Sequence, residues 1–219
     1  MSNSTNITNI GILGGGQLGM MLCTAAKKLG FKTIVYCPEG VEPAPAKSTA
    51  TKVIYGDYED RKKLEEFSKE CDVVTFEFEN IPSETIKFLE EKTIVRPSSK
   101  VIYTSQNRAR ERAFFLKNKL PCHKFANINS LTGISEFFQT TGAEKAVIKT
   151  SAFGYDGKGQ IRVSKDDDIE KAWSESGFKE AVIEEFVNFS KEISVIVARN
   201  KNGEFSIFPI GENIHEDGI

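Results

Sequence analysis

Lys149 closes the apolar run Val147-Ile148, and three glycines follow it, Gly154, Gly157 and Gly159, set around Tyr155, Asp156 and Lys158. Glycines allow main-chain N–H groups to approach an anion closely. A lysine at a strand end adds a point charge. An alternating strand resumes at Ile161 and Val163 after Gln160. Strand, lysine, glycine loop and strand are what a lid over a nucleoside triphosphate needs. The phosphate loop of the other large nucleotide class puts its Lys-Ser/Thr pair at a helix start, whereas Gly159-Gln160 leads into a strand. A tight hairpin rich in Gly and Asp would carry the same residues, so the loop alone leaves that alternative open.

Further signals lie on both sides. Ala181-Val-Ile-Glu184-Glu185-Phe186-Val187 is an apolar strand breaking into two carboxylates, with Glu192 shortly after. A strand-to-linker crossing there has backbone free for a purine edge and a carboxylate near enough for ribose hydroxyls. Gly14-x-Gly16-x-x-Gly19 is the dinucleotide fingerprint in outline. Tyr36 and Cys37 nevertheless stand where the ribose-binding acid belongs. A phosphate monoester on the helix N-terminus fits the same loop. Glu77 and Glu79, two apart at a strand end, are expected on one face; a solvated edge is the alternative. Arg108 opens a helix, where a cation opposes the dipole, which hints at a phosphate partner. His123 has no partner pattern and reads as structural.

The elements that must position these residues alternate over the first hundred positions. Asn9–Leu13, Lys32–Tyr36, Val53–Tyr55 and Asp72–Phe76 read as strands. Leu18, Met21, Leu22, Ala25 and Leu29 fall at helical spacing up to Gly30, and Ser83 opens a helix through Ile86 and Leu89. Asp57 is expected to cap the helix of Leu64 and Phe67, with Asp60 three residues on. Such βαβ repetition predicts a parallel, doubly wound, Rossmann-like α/β domain over 1–105. From Asn107 the texture changes to α+β. A charged helix, Arg108 to Leu120, precedes Pro121; a helix follows over Ser130 to Thr141; and a hairpin turns at Asn200–Gly203. The second domain is expected over 106–219.

A net charge of −2 with 27% charged residues offers no basic stripe for nucleic acid. Apolar runs are too short to span a bilayer, and the polar N-terminus has no signal-peptide pattern. Cys23, Cys37, Cys71 and Cys122 are scattered with no Cys-x-x-Cys, which argues against a thiolate metal site and makes reduced thiols in a cytoplasm the expectation.

In their order, Lys149, Gly154–Gln160, Glu184–Val187 and Asn188–Glu192 resemble the ATP-grasp ligases. With Gly14–Gly19, Thr75–Asn80 and Glu212–His215, the chain is similar more narrowly to the 5-(carboxyamino)imidazole ribonucleotide synthases of purine biosynthesis. The resemblance implies a pre-ATP-grasp domain followed by an ATP-grasp domain, with a first subdomain over about 121–187 and a second beginning at 188. It implies ATP bound by Arg108, Lys149, Gly154 through Gln160, Glu184, Glu185, Phe186, Val187, Glu192 and His215. Tyr155, Asp156 and Lys158 would reach the reacting groups. Gly15, Gly16, Gln17, Leu18, Glu77 and Glu79 would hold 5-aminoimidazole ribonucleotide. The implied reaction phosphorylates bicarbonate to carboxyphosphate, whose carbon dioxide is captured by the aminoimidazole amine. The match to the family's Arg-x-x-x-Lys is partial, since Arg112 replaces the lysine. Another ATP-grasp carboxylase or amide ligase, or a non-catalytic dinucleotide-binding module, would share part of this pattern. By the same resemblance the enzyme is a cytoplasmic homodimer at full length. These 219 residues are expected to be an N-terminal piece, truncated in the second subdomain. Ligands for Mg²⁺ are expected beyond Ile219 and none within the chain, so the piece alone is expected to be inactive.

Overall fold

The computed structural model describes residues 7–40, 45–152 and 159–214. The chain divides into two units, Met1–Glu111 and Arg112–Ile219.

In the first unit five parallel strands, β1 (Asn9–Leu13), β2 (Lys32–Cys37), β3 (Lys52–Tyr55), β4 (Val73–Phe76) and β5 (Ile94–Val95), lie in the order β3-β2-β1-β4-β5. The doubly wound sheet read from the sequence is present. Each strand is a short apolar run because both faces are covered. Leu13, Tyr36 and Val74 turn towards a core with Leu64, Phe67 and Ile86. Ile12, Val35 and Cys37 turn the other way, onto Cys23 and Ala46. Strand order reverses between β1 and β4, so the crevice beyond their carboxyl ends is where such sheets bind ligands.

Helix α1 (Gln17–Lys28) buries Gly19, Cys23 and Ala26, while Leu18, Met21 and Leu29 stay 55%, 61% and 74% exposed. The apolar spacing thus marks the helix but not its buried face. A Cβ on Gly19 would lie 2.6 Å from the Gly14 carbonyl oxygen, so only small residues let the helix pack this closely. Helix α2 (Arg61–Lys69) is capped by Asp60, whose carboxylate accepts the Lys63 N–H at 3.0 Å, and not by Asp57. Asp57 lies three residues too early, and its carbonyl takes the Asp60 N–H and the Tyr36 hydroxyl instead. Helices α3 (Ser83–Glu90) and α4 (Ser99–Ser105) complete the unit before α5 (Arg108–Lys117), which carries the division between the two. Helix α5 starts where Asn107 Oδ1 accepts the Arg110 N–H. It ends three residues before Leu120, because Lys119 turns left-handed at φ 54° ahead of Pro121.

The second unit is built on an antiparallel sheet, ordered β6 (Phe125–Ile128), β9 (Ala181–Glu185), β7 (Lys145–Thr150) and β8 (Gln160–Ser164). Helices α6 (Leu131–Thr141) and α7 (Ile169–Ser176) contribute Ile134, Phe137 and Trp173 to a core with Ile148, Val163 and Ile183. The period of two sends the alternate residues Val147, Lys149, Arg162 and Glu184 to the opposite face. After β9, the expected hairpin is split into two ladders. The strands β10 (Glu192–Ser194) and β13 (Gly211–Asn213) form one, and β11 (Val197–Arg199) and β12 (Phe205–Ile207) the other. Asn200 and Glu204 close the turn, with Gly203 at φ 89°.

Candidate functional site

Sheet register creates the site in the second unit. Val147 pairs with Arg162 on one side and Glu184 on the other, and Lys149 pairs with Gln160 and Val182. Lys149 and Glu184 therefore meet on one face, with Nζ 2.5 Å from Oε2. The other carboxylate oxygen, Oε1, accepts from Arg112 Nε at 2.9 Å and from its terminal nitrogen at 2.7 Å. His123 Nε2 stands 3.3 Å from the same oxygen. The Glu184 side chain is only 3% exposed. Burial by itself would raise its carboxyl, but hydrogen bonds and charge from Lys149 and Arg112 prevail and hold it down at about 2. Glu184 thus fixes Lys149 and Arg112 on one face of the sheet, and the Lys149 ammonium stands at the edge of a cavity.

A cavity of about 640 Å³ opens beside this cluster. Val147, Phe186, Val187 and Phe189 give it an apolar part, and Lys149 and Glu184 stand at its charged part. Gln160, Glu185 and Glu192 also line it. Glu192 Oε1 accepts from Asn213 Nδ2 at 3.0 Å across the β10–β13 ladder. Apolar walls with a few convergent polar groups are the usual form of a small-molecule site. This one suits a flat heterocycle joined to an anionic chain.

The placement differs from expectation in three respects. Glu184 is buried in an ion cluster, so it is not the carboxylate open to ribose hydroxyls; Glu185 and Glu192 remain. The crossing backbone is not free along its length, because the Glu185 N–H donates to Lys124 O and the Phe186 N–H to Lys145 O. Val187 is the first residue past the strand whose N–H has no main-chain partner among the described residues. Three side chains that the sequence did not mark for the site border or build it: Arg112, His123 and Arg162. Arg112 was legible only as the partial Arg-x-x-x-Lys match, and His123 read as structural. Arg162 lies 5.7 Å over the Phe186 ring, a pairing no spacing rule shows. Gly154, Tyr155, Asp156, Gly157, Lys158 and His215 lie outside the described residues. Gly159 is described, at φ 72°, and its carbonyl accepts the Thr150 N–H. Arg108 opens α5 within the first unit.

In the first unit the glycine loop follows β1 and Glu77 follows β4, so the two face each other at the reversal of strand order. Gly14 sits at φ 112°, and a Cβ there would run into the Glu77 side chain. The Gly16 N–H donates to Glu77 Oε1 at 3.2 Å. Strand β4 stops at Phe76, so Glu77 and Glu79 do not share a strand face. Glu77 is half-buried against the loop, and Glu79 is exposed. Gln17 and Leu18 open α1, and Leu18 is exposed beside the loop of Gly15 and Gly16. The place of a dinucleotide's ribose acid is filled by Tyr36, fully buried with its hydroxyl 2.7 Å from Asp57 O.

Known proteins resemble the chain along its length. Residues 7–106 match the family described as the ribonucleotide synthetase preATP-grasp domain, and residues 113–219 match the ATP-grasp domain. A bifunctional purine synthesis protein of Dictyostelium discoideum is 37% identical over 97% of this chain and 21% of its own length. The N5-carboxyaminoimidazole ribonucleotide synthase of Staphylococcus aureus (strain COL) is 34% identical over 96% of this chain and 55% of its own. A crystal structure of the S. aureus synthetase complexed with ADP matches with a TM-score of 0.89 over 97% of this chain and 56% of that one. The Aspergillus clavatus synthase, solved with ADP and 5-aminoimidazole ribonucleotide, matches at 27% identity and a TM-score of 0.83 over 98% of this chain and 55% of that one. The chain spans about half the length, or less, of these proteins.

Proposed function

We propose that the chain, whose residues 7–106 match the ribonucleotide synthetase preATP-grasp domain and residues 113–219 the ATP-grasp domain, serves the ATP-dependent carboxylation of 5-aminoimidazole ribonucleotide. Bicarbonate is the carboxyl source, carboxyphosphate the intermediate, and 5-(carboxyamino)imidazole ribonucleotide, ADP and phosphate the products. The observation that carries this reading is the second-unit cavity, where the Lys149–Glu184–Arg112 cluster meets the apolar walls of Val147, Phe186 and Val187. Adenine lies against the apolar part, the Val187 N–H is available to its edge, and Glu192 or Glu185 receives the ribose hydroxyls. Lys149 supplies positive charge to the phosphates, and Arg112 fixes the Glu184 carboxylate beside it. Charge neutralisation and exclusion of water are what phosphoryl transfer to bicarbonate demands of a protein. By the family resemblance, Tyr155, Asp156 and Lys158 are assigned to the reacting groups, and Gly154, Gly157, Arg108 and His215 to the nucleotide.

The first unit takes the ribonucleotide at the crevice between Gly14–Leu18 and Glu77–Glu79. Glu77 braces the loop, and Glu79 is left for the substrate. Among the described residues no three His, Cys, Asp or Glu side chains gather as a metal site, and no step of the proposal runs through Mg²⁺. The proposal takes the enzyme to be cytoplasmic and homodimeric, as the family resemblance implies. Titration of the chain with ADP, ATP and NAD, followed by Trp173 fluorescence or calorimetry, tests the reading. Saturable ADP and ATP binding with no NAD binding is expected. NAD binding as tight as ATP would revive the dinucleotide alternative.

A further inference from the structure

His123 presents an anomaly at the nucleotide cavity. Its Nε2 is buried and has no hydrogen-bond partner among the described residues, although Glu184 Oε1 is only 3.3 Å away. The nitrogen is close enough to donate but is not aligned, and Oε1 is already served twice by Arg112. A buried polar atom left unpaired is destabilising, and such groups are uncommon in folded proteins. The group becomes intelligible in a second state of the site. Among the described residues, Glu184 Oε2 is held by Lys149. A phosphate chain in the cavity competes for the same ammonium, and once Lys149 turns to it a carboxylate with a 3% exposed side chain loses one of its counter-charges. The adjacent donor on the cluster is His123, which comes from the segment before β6. Arg112 faces the carboxylate from α5 and Lys149 from β7; Arg162, Glu185 and Glu192 border the same cavity.

We propose that His123 is a positioning residue of the nucleotide site, whose Nε2–H closes on Glu184 when Lys149 swings to a bound phosphate. A small rotation of the ring and carboxylate makes the bond, and Glu184 then remains a fixed floor for Arg112 while Lys149 is engaged. This inference rests on the cavity's being a nucleotide site. The exchange makes the apo contact and the bound contact different, so the His123 contribution is felt in the bound state.

The test is titration of ADP into the 219-residue chain and its His123→Ala and His123→Gln variants, with thermal melts of each without nucleotide. His123→Ala should weaken ADP by about three- to tenfold, the worth of one hydrogen bond, while its nucleotide-free melt matches the parent. His123→Gln, which keeps a donor, should restore most of that affinity. In the parent, the ¹⁵N resonance of His123 Nε2 should move towards the hydrogen-bonded donor range on saturation with ADP. Unchanged ADP affinity in His123→Ala would overturn the inference, as would an unmoved resonance. A lowered nucleotide-free melt with no rescue by glutamine would make the residue merely structural and overturn it too. A parent chain that takes no ADP would overturn the nucleotide reading as well; a parent that binds beside an indifferent His123→Ala overturns this inference alone.

Discussion

Lys149 Nζ lies 2.5 Å from Glu184 Oε2, a contact between residues 35 apart in sequence that the β7–β9 register brings onto one face of the sheet. Removing the carboxylate leaves Lys149 and Arg112, whose side chains are 24% and 12% exposed, without their shared counter-ion. Breaking a buried ion pair from one side is destabilising by about 3–5 kcal/mol. Glu184→Ala should therefore unfold at clearly lower denaturant than the parent. Equal midpoints would mean that the cluster does not hold the second unit together.

The same cluster sets a pH dependence. Glu184 titrates at about 2 when folded, because the hydrogen bonds from Lys149 and Arg112 outweigh the upward push of burial, against 4.5 for the ordinary group. Its folded value is depressed, so the unfolded chain binds the proton more readily. The stabilisation is complete above 4.5 and is lost as pH falls from there through about 2. It amounts to something on the order of 3 kcal/mol. Denaturant midpoints measured down that range should fall more steeply for the parent than for Glu184→Gln. Parallel slopes would contradict the assignment.

Capping separates two aspartates three residues apart. Asp60 receives the Lys63 N–H through its side chain, whereas among the described residues Asp57 accepts through its carbonyl, from Tyr36 and Asp60. Asp60→Ala should lower stability by about 1 kcal/mol, and Asp57→Ala by much less. A larger loss at Asp57 than at Asp60 would contradict the structure's placement of the helix start.

At the first-unit crevice, Gly14 combines φ 112° with a Cβ position that the Glu77 side chain occupies. Gly14→Ala should be destabilising by roughly 2–4 kcal/mol, from left-handed strain and overpacking together. Glu79→Gln, at an exposed side chain, should leave the melt unchanged and weaken binding of 5-aminoimidazole ribonucleotide. A Glu79→Gln chain that binds the ribonucleotide as well as the parent would remove Glu79 from the site.

Much of this was legible in the chain, for reasons that can be stated. The strands β1, β2 and β4 are continuous apolar runs because a doubly covered sheet needs them, and the glycines between them mark turns. The buried face of α1 was not legible. Close packing on Gly14 selects Gly19, Cys23 and Ala26, which a hydrophobic spacing count overlooks in favour of Leu18 and Met21. Helix α7 was not read at all, although Asp168 caps it through the Lys171 N–H and Gly177 ends it at φ 65°. Lys149 and the 184–187 segment stood out as chemistry. Their joining with Arg112 and His123 did not, because Arg112 and Glu184 are 72 residues apart and meet only once the sheet has formed.

The proposed adenine-nucleotide site in the second-unit cavity depends on the Lys149 ammonium. Calorimetric titration of ATP into the parent chain and Lys149→Ala, both shown to be folded by their melts, tests it most directly. The variant should bind ATP more weakly by about 1.5–3 kcal/mol, roughly ten- to a hundredfold, the worth of a hydrogen bond to a charged group. A folded Lys149→Ala chain with the parent's ATP affinity would contradict the account.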